Sequence, residues 1–245
     1  MKSFITLFKI QLKLEIREKG ILLNYYVVPL LFYLVVGAVF AGINPEMKSH
    51  LAAIMIIFGI TMGGILGIPI PIVTMKEQGV FRAFSVNGIS KGIAILAHTL
   101  SAFIHILIVS LVIYFTSPII FKSDIPENIF AFFIVLLLLI FTSASIGTLI
   151  GLVAKGQSSS IMLSQIIFLP SLLLSGIMFP SSMLPSLLIK ISQILPATQA
   201  MKAFLGLAYN HQAVSNGVSS MIILFLIGIF AFFANIILLN QNKTL

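Results

Sequence analysis

Residues 172–204 read LLLSGIMFPSSMLPSLLIKISQILPATQAMKAF, a stretch that starts as an apolar membrane-type helix and is then interrupted. Proline begins or ends helices because it lacks the backbone N–H and fixes φ. Backbone that is not regular helix is tolerated at membrane depth only where protein covers it. We therefore expect residues 180–208 to form short helices that re-enter the outer leaflet and pack on the bundle. The interrupting residues are Pro180, Pro185, Lys190, Pro196 and Lys202.

The composition places the rest of the chain in a membrane as well. Hydrophobic residues make up 59% and charged residues 8% of the 245 residues, and the mean hydropathy is +1.17. Soluble domains are about one-quarter charged. Because the sequence has no cysteine, disulfides, thiol chemistry and thiolate metal sites are excluded.

Six apolar stretches reach about 20 residues, the length that crosses the hydrocarbon core as a helix. An even number of spans places both termini on one side of the membrane. The predicted spans are residues 21–42, 51–74, 93–120, 129–153, 161–178 and 218–239.

The basic residues are distributed unequally between the two sides. Four of them, Lys48, Lys122, Lys190 and Lys202, fall opposite the termini, and the other ten fall on the side of the termini. Basic residues are enriched in cytoplasmic segments. We therefore expect cytoplasmic termini, and we interpret the net charge of +8 as an orientation signal rather than as a nucleic-acid surface.

Residues 1–20, MKSFITLFKIQLKLEIREKG, have a helical pattern of their own. At about 100° per residue, Lys2, Lys9, Lys13 and Arg17 fall within about 80° of one another beside an apolar arc. This pattern predicts a basic amphipathic helix in the membrane surface. It is interpreted as a headgroup anchor, as a docking surface for a cytoplasmic partner, or as both.

The loop of residues 75–92, MKEQGVFRAFSVNGISKG, mixes charged and apolar residues. Phe81 and Phe84 are three positions apart, so on a short helix they share a face that lipid or another protein must cover. Two interpretations stay open: a helix dipped into the headgroups, and a plug that fits a partner's groove.

His98 and His105 are the ionisable side chains that fall inside a predicted span. Seven residues apart, they share a helix face with Ser101 and are expected to point into the bundle. No carboxylate or thiol accompanies them in the span. We therefore expect packing or a polar pathway lining rather than a proton relay or a metal pair.

Small residues recur at every fourth position in two spans, and such stripes let helices approach closely. The stripe of the fourth span suits close packing within the fold or a seam between two copies. The members are Gly59, Gly63 and Gly67 in the second span and Ser143, Gly147 and Gly151 in the fourth.

The fifth span carries a polar stripe within about 60° on a straight helix. The stripe faces a neighbouring helix, through interhelical hydrogen bonds, or a transport pathway. A bend at Pro170 is expected to rotate its outer pair away from the inner three. Its members are Gln157, Ser160, Ser164, Ser171 and Ser175.

Enzyme motifs are missing from the sequence: there is no GxxxxGK[ST] phosphate loop, no HExxH and no GxSxG. We therefore expect that the chain is not an enzyme and neither binds nor hydrolyses ATP itself. Another subunit must supply the energy for uphill transport.

The run SGIMFPSSMLP, residues 175–185, followed by ILPATQAMKAF, resembles the type-2 family of ATP-binding-cassette (ABC) permeases, the membrane subunits of many bacterial exporters. Six spans, a basic N-terminal helix and a loop with Glu77, Gly79 and Arg82 are also similar to the family plan, so the resemblance covers essentially the whole chain. The chain departs from it at Gly88, where many members carry proline.

The resemblance implies an all-α integral membrane protein with one transmembrane domain over residues 1–245. The domain would comprise an interface helix (1–20), spans 1–5 (21–178), a re-entrant outer segment (179–210) and span 6 (218–239). It also implies a second permease copy, as a homodimer or a homologous permease, and two cytoplasmic ABC ATPase subunits that carry ATP and Mg²⁺. The expected location is the bacterial cytoplasmic (inner) membrane.

The resemblance further implies roles for particular residues. Coupling to the ATPase is assigned to Glu77, Gly79, Phe81, Arg82 and Phe84, and support of that interface to Lys9, Lys13 and Arg17. The pathway and outer gate are assigned to Ser164, Ser171, Ser175, Met178, Pro180, Pro185, His98 and His105.

The cargo is inferred from the chemistry of the spans. They lack the acidic residues of a dedicated cation site, and their many Phe, Met, Leu and Ile side chains form an adaptable apolar surface. We expect an amphipathic or lipid-like cargo, such as a drug, an antibiotic or an antimicrobial peptide, and hence a role in antibiotic resistance. The alternatives are a polysaccharide- or lipid-exporting ABC permease, an ion-coupled secondary transporter that uses His98 and His105, and a membrane scaffold or intramembrane enzyme.

Overall fold

A computed structural model describes residues 2–43, 45–180, 183–210 and 213–241, and within them the chain is helical and has no strand. The helices are α1 (Lys2–Arg17), α2 (Lys19–Leu22), α3 (Val28–Ile43), α4 (Pro45–Ser49), α5 (Leu51–Thr61), α6 (Pro69–Glu77), α7 (Val80–Val86), α8 (Lys91–Phe121), α9 (Ile129–Val153), α10 (Gln157–Leu174), α11 (Ser186–Ser192), α12 (Pro196–Ala203) and α13 (Val214–Gln241). π-helical turns at Leu23–Val27, Met62–Gly67 and Phe204–Ala208 join or extend them.

Six helical segments of the described residues are long and apolar enough to cross a membrane, which confirms the predicted number. α1 and the end of span 6 lie on the same side of the bundle, the terminal side; the opposite side is termed the outer side. Spans 1 to 6 are Lys19–Gly42, Leu51–Glu77, Lys91–Phe121, Ile129–Val153, Gln157–Leu174 and Val214–Gln241.

Span 5 differs most from its predicted bounds of 161–178. It begins earlier because the hydroxyl of Ser159 accepts hydrogen bonds from the backbone N–H groups of Lys155 and Gly156, at 3.0 and 3.1 Å, and so supports the first turn. It ends earlier because Gly176 adopts φ +84°, a left-handed conformation that stops the helix.

Span 2 is the centre of the bundle. Of its most apolar window, 94% is buried, against 22–56% for the other spans. It packs against spans 1, 3, 4 and 5 and against α12. Its uniformly apolar sequence therefore reflects contact with protein on every side rather than contact with lipid.

The glycine stripes serve packing within this chain. A Cβ added at Gly147 would lie 2.0 Å from the carbonyl oxygen of Gly64, and one added at Gly151 would lie 2.9 Å from Cβ of Ile72. Spans 2 and 4 therefore touch along their backbones. The stripe of span 4 is occupied by span 2, so the interpretation of this stripe as a seam between two copies is wrong.

The outer segment forms two short helices, of which α12 is covered by the rest of the chain whereas most of α11 is exposed. Pro185 directly precedes α11 and Pro196 is the first residue of α12, as predicted for helix starts. α12 packs against spans 2, 4 and 6, and Ala200 and Phe204 are fully buried there. Ser181, Ser182 and Lys243, which the sequence predictions included, lie outside the described residues.

Candidate functional site

α1 carries polar residues on two opposite faces. Lys9, Lys13 and Arg17 are exposed on one face. Gln11 and Glu15 lie on the opposite face, which packs against span 3. α1 therefore packs on the bundle through the face that carries Gln11 and Glu15, and its basic face is exposed.

Glu15 is fully buried and lies between α1 and span 3. One carboxylate oxygen lies 2.7 Å from Nδ1 of His98 and accepts a hydrogen bond of 3.1 Å from the amide of Gln11. The other accepts a hydrogen bond of 2.5 Å from the hydroxyl of Ser101 and lies 3.3 Å from Nε2 of His105, without hydrogen-bond geometry. The expectation that no carboxylate accompanies the histidines is wrong, because α1 folds back and supplies one.

Each histidine also contacts a second span. Nε2 of His98 lies 3.2 Å from the carbonyl oxygen of Ile68 in span 2. Both ring nitrogens of His98 thus lie close to oxygen atoms of other helices. Nδ1 of His105 lies 2.6 Å from the hydroxyl of Tyr26 in span 1, and the ring of Tyr25 stacks on His105 at 5.9 Å. Three spans and α1 therefore meet at this cluster.

The electrostatics keep Glu15 ionised. Burial raises the pKa of the Glu15 carboxyl, but the neighbouring His105, the hydrogen bonds from His98 and Ser101 and the charge of His98 outweigh this effect and lower the pKa to about 2. The buried carboxylate is therefore paired rather than neutralised by a proton. Among the described residues, no group of three or more His, Cys, Asp or Glu side chains is arranged to hold a metal ion.

Local backbone geometry shapes this site. Tyr25 lies in a π-helical turn of span 1, and Gly67 ends a π-helical turn of span 2. A Cβ at Gly67 would lie 2.6 Å from the Tyr25 ring, so only glycine lets the ring reach His105 without a shift. π-helical turns are frequent at functional sites.

A cleft of about 680 Å³ adjoins the cluster on the terminal side. It runs between α1, the start of span 1, the end of span 2 and α7. The hydroxyl of Tyr25, which lines the cleft, is buried and has no hydrogen-bond partner among the described residues. Further lining residues are Gln11, Arg17, Glu18, Thr74 and Phe84.

The residues assigned to ATPase coupling surround α7 but are not all accessible. Glu77 and Arg82 are exposed, and Gly79 adopts φ +69° immediately before α7. Phe81 is only 3% exposed, whereas Phe84 is half-buried at the cleft. The expectation that Phe81 and Phe84 share an exposed face is wrong, because Phe81 turns into the core of the bundle.

Gly88 follows α7 with φ +72°. Proline, which the resembling permeases often carry there, is restricted to φ near −65°. The loop after α7 therefore has a conformation that proline cannot adopt.

Lys76 connects the end of span 2 to the end of span 4. Its ammonium group donates hydrogen bonds of 2.9 Å to the carbonyl oxygens of Leu152 and Ala154. These are unpaired carbonyls at a helix C-terminus, where a cation is favoured by the helix dipole. The sequence suggested no role for this lysine.

The candidate pathway residues of span 5 point into this chain's own bundle. The four serines of the polar stripe are buried on both sides of Pro170, whereas Gln157 at the start of the stripe is exposed. The hydroxyl of Ser171 donates to the carbonyl oxygen of Ile167 at 2.7 Å, and the hydroxyls of Ser175 and Thr198 lie 2.8 Å apart. Span 5 packs against spans 2 and 4. Ser171 thus forms a local hydrogen bond and Ser175 one to the outer segment.

An outer cavity of about 360 Å³ lies beneath the outer segment. Pro180 lines it, Met178 is half-buried nearby and Pro185 is exposed. The ammonium of Lys202 donates to the side-chain oxygen of Gln193, and burial lowers the pKa of Lys202. The other lining residues include Met47, His50, Ser175 and Thr198.

Sequence reasoning missed Glu15 as a site residue. The available signal was Gln11 and Glu15, an amide and an acid at i and i+4 on the face opposite the basic stripe. A carboxylate on the protein-facing side of a surface helix indicates a polar partner inside the bundle, because an unpaired buried charge is unfavourable.

A family model described as ABC-2 type transporter matches residues 2–209. The match includes α1, spans 1 to 5, the outer segment and both cavities. A comparison with curated proteins gives no match.

Proposed function

The chain belongs to the ABC-2 type transporter family and is a membrane permease subunit, and we propose that it exports an amphipathic or lipid-like substrate, such as a drug, an antibiotic or an antimicrobial peptide. A separate ATPase subunit supplies the energy. In this proposal the protein resides in the bacterial inner membrane with both termini in the cytoplasm.

The observation that carries this proposal is the meeting of α1 and α7 at one cleft. α1 exposes Lys9, Lys13 and Arg17, and α7 exposes Arg82 and Val86 on the same side of the bundle. Two short helices that border one cleft on the terminal side form a continuous surface for a cytoplasmic partner. The partner has exposed carboxylates that complement this basic surface.

The complex contains two permease copies, as a homodimer or with a homologous permease, and two ATPase subunits. ATP and Mg²⁺ bind to the ATPase subunits. A ligand shifts an equilibrium only through different affinities for two states, so the permease has an inward-open and an outward-open arrangement. ATP-driven closure of the ATPases favours one of them.

The outer cavity supports the choice of cargo. Methionine, leucine and isoleucine side chains share its wall with the polar Ser175, Thr198 and Lys202. Such a mixed lining suits an amphiphile with an apolar body and a polar group. The outer segment above it acts as the gate, and deletion of residues 183–195 is expected to abolish gated export while the protein still folds.

The first experiment isolates the protein from its membrane in mild detergent and tests whether an ATPase subunit copurifies and hydrolyses ATP. Arg82→Glu is then compared with Lys155→Glu, an exposed cation on the same side but outside α7. We expect Arg82→Glu to lose export in vesicles while its membrane insertion stays normal, and Lys155→Glu to retain export. Full export by Arg82→Glu would remove α7 from the coupling surface, and the absence of any ATPase would refute the proposal.

An ion-driven transporter is the second candidate, and the buried Glu15 with its two histidines favours it. Ion coupling requires an ionisable group in the membrane. Transport that follows a proton gradient in vesicles without ATP would select this candidate, whereas transport that needs ATP at zero gradient would exclude it.

A further inference from the structure

We infer that Glu15 is the positioning residue through which movement of α1 is transmitted to span 3, an inference that rests on the proposed function because it needs a partner that moves α1. Glu15 touches neither the cargo nor ATP in this scheme. It acts through His98 and His105, which belong to the span that it holds.

The attachment of α1 to span 3 is most strongly directional at Glu15, which has polar contacts to three side chains of that span. Apolar contacts between helices allow small sliding movements, because they depend little on orientation. A buried carboxylate with a 2.7 Å contact to His98 and a hydrogen bond from Ser101 fixes both distance and angle. Separating Glu15 from His98 and Ser101 would leave buried polar groups unpaired, which is strongly unfavourable because solvent does not replace the lost contacts. Displacement of α1 therefore pulls span 3 with it.

The other surfaces of α1 remain accessible for the partner that moves it. Lys9, Lys13 and Arg17 are exposed, and Ile10 and Leu14 are about half exposed. One face of the helix is thus available for docking while the opposite face carries the ion pair. A partner bound to the exposed face could therefore move α1 while Glu15 stays in contact with span 3.

Span 3 offers a continuous route to the outer side. It is a single helix of 31 residues whose last residue, Phe121, packs against Tyr33. In the following loop, the backbone N–H of Asp124 donates a hydrogen bond of 2.9 Å to the carbonyl oxygen of Ser49. The next residue, His50, lines the outer cavity. A shift of span 3 thus reaches the wall of that cavity without crossing lipid.

The test uses the absence of cysteine from the natural chain, which allows spin labels at two chosen positions. Ile125→Cys reports the loop after span 3 and Leu187→Cys reports α11; both side chains are more than 60% exposed. The labelled protein is copurified with its ATPase, and the distance between the labels is measured before and after addition of ATP and vanadate. The same measurement is made with Glu15→Gln and with Lys155→Gln, which neutralises an exposed charge outside the cleft and serves as the control.

We expect ATP to change the distance in the parent protein and in Lys155→Gln. We expect the change to be lost in Glu15→Gln although the same amount of ATPase binds and the variant still unfolds in one cooperative transition. The exchanged pair Glu15→His with His98→Glu is expected to restore the change. If Glu15→Gln itself unfolds, the double variant Glu15→Gln with His98→Gln removes both charges and keeps a hydrogen-bonding pair for the same measurement.

The outcomes separate the two proposals. A parent protein that binds no ATPase, or that shows no ATP-dependent distance change, contradicts the proposed function. A full distance change in Glu15→Gln overturns the inference alone. Loss of ATPase binding together with loss of the cooperative unfolding transition in both neutral variants also overturns it, because Glu15 then has only a structural role.

Discussion

The carboxylate of Glu15 lies 2.7 Å from Nδ1 of His98, across 83 positions of the sequence. Both side chains are fully shielded from solvent. When one partner of a buried ion pair is removed, the other is left with an uncompensated charge. The position of α1 on the bundle therefore depends on both residues.

Replacement of Glu15 by alanine is expected to reduce the free energy of unfolding by about 3–5 kcal/mol. The change removes the acceptor of His98 and Ser101 and leaves a buried cavity beside His105. The measurement is thermal unfolding in detergent followed by circular dichroism. Glu18→Ala serves as the control and is expected to lie within about 0.5 kcal/mol of the parent, because Glu18 is exposed. Equal losses in both variants would contradict a special contribution of Glu15.

The stability that Glu15 provides is expected to disappear only in acid. Its pKa is lowered from 4.5 to about 2, so its contribution is complete above about pH 4.5 and is lost as the pH falls toward about 2. Melting temperatures of the parent and of Glu15→Gln measured over a pH series test this. Their difference should persist down to about pH 5 and shrink below it. If burial instead raised the pKa of Glu15, the difference in melting temperature between the parent and Glu15→Gln would already disappear between pH 7 and pH 5.

Replacement of Gly147 by alanine is expected to destabilise the bundle by about 3 kcal/mol, the upper part of the range for overpacking. The new Cβ would lie 2.0 Å from a backbone atom, the carbonyl oxygen of Gly64, and a backbone cannot rotate away as a side chain can. Gly42→Ala is the control, since a Cβ there meets nothing within 4 Å, and it should change stability by at most about 1 kcal/mol. The measurements are the monodisperse yield on size exclusion and the melting temperature.

Replacement of Lys76 by methionine is expected to reduce the free energy of unfolding by about 1.5–3 kcal/mol, the range for hydrogen bonds to charged groups. The variant leaves the carbonyl oxygens of Leu152 and Ala154 without their donor. Lys155→Met changes an exposed lysine nearby and should have almost no effect. Hydrogen exchange is expected to be faster at the end of span 4 in Lys76→Met only.

Replacement of Phe81 and of Val86 by alanine should separate folding from docking on α7. Phe81 is 3% exposed, so its truncation is expected to reduce stability by about 3–5 kcal/mol. Val86 is 83% exposed, so Val86→Ala should leave stability within about 0.5 kcal/mol and weaken binding of the ATPase instead. Unfolding curves and copurification of the ATPase measure the two effects. Stable Phe81→Ala protein would contradict the packing of Phe81 in the core.

Much of the architecture could be predicted from local sequence signals. The number of spans follows from runs of apolar residues, and the starts of α11 and α12 follow from Pro185 and Pro196. The inward direction of His98 and His105 follows from their spacing of seven on a helix. Each of these features depends on residues that are close together in the chain.

The partners of those residues could not be predicted in the same way. No acidic residue lies in the same span as His98 and His105. Phe81 lies in a stretch with many charged residues, so the sequence predicts that it is exposed. Whether the stripe at Gly147 meets span 2 or a second copy depends on which helices are neighbours. Apolar spans carry little information about neighbours, because any apolar face can pack against another or against lipid.

The sequence by itself determined that this is a six-span helical membrane protein, since hydrophobicity and helical period are local properties, and it predicted a basic amphipathic helix before span 1. Only the tertiary structure decided that the opposite face of this helix carries Glu15 into the bundle, to His98 and His105. The physical reason is that a buried charge is stable only beside its partners, and those partners come together only when three spans and α1 have packed.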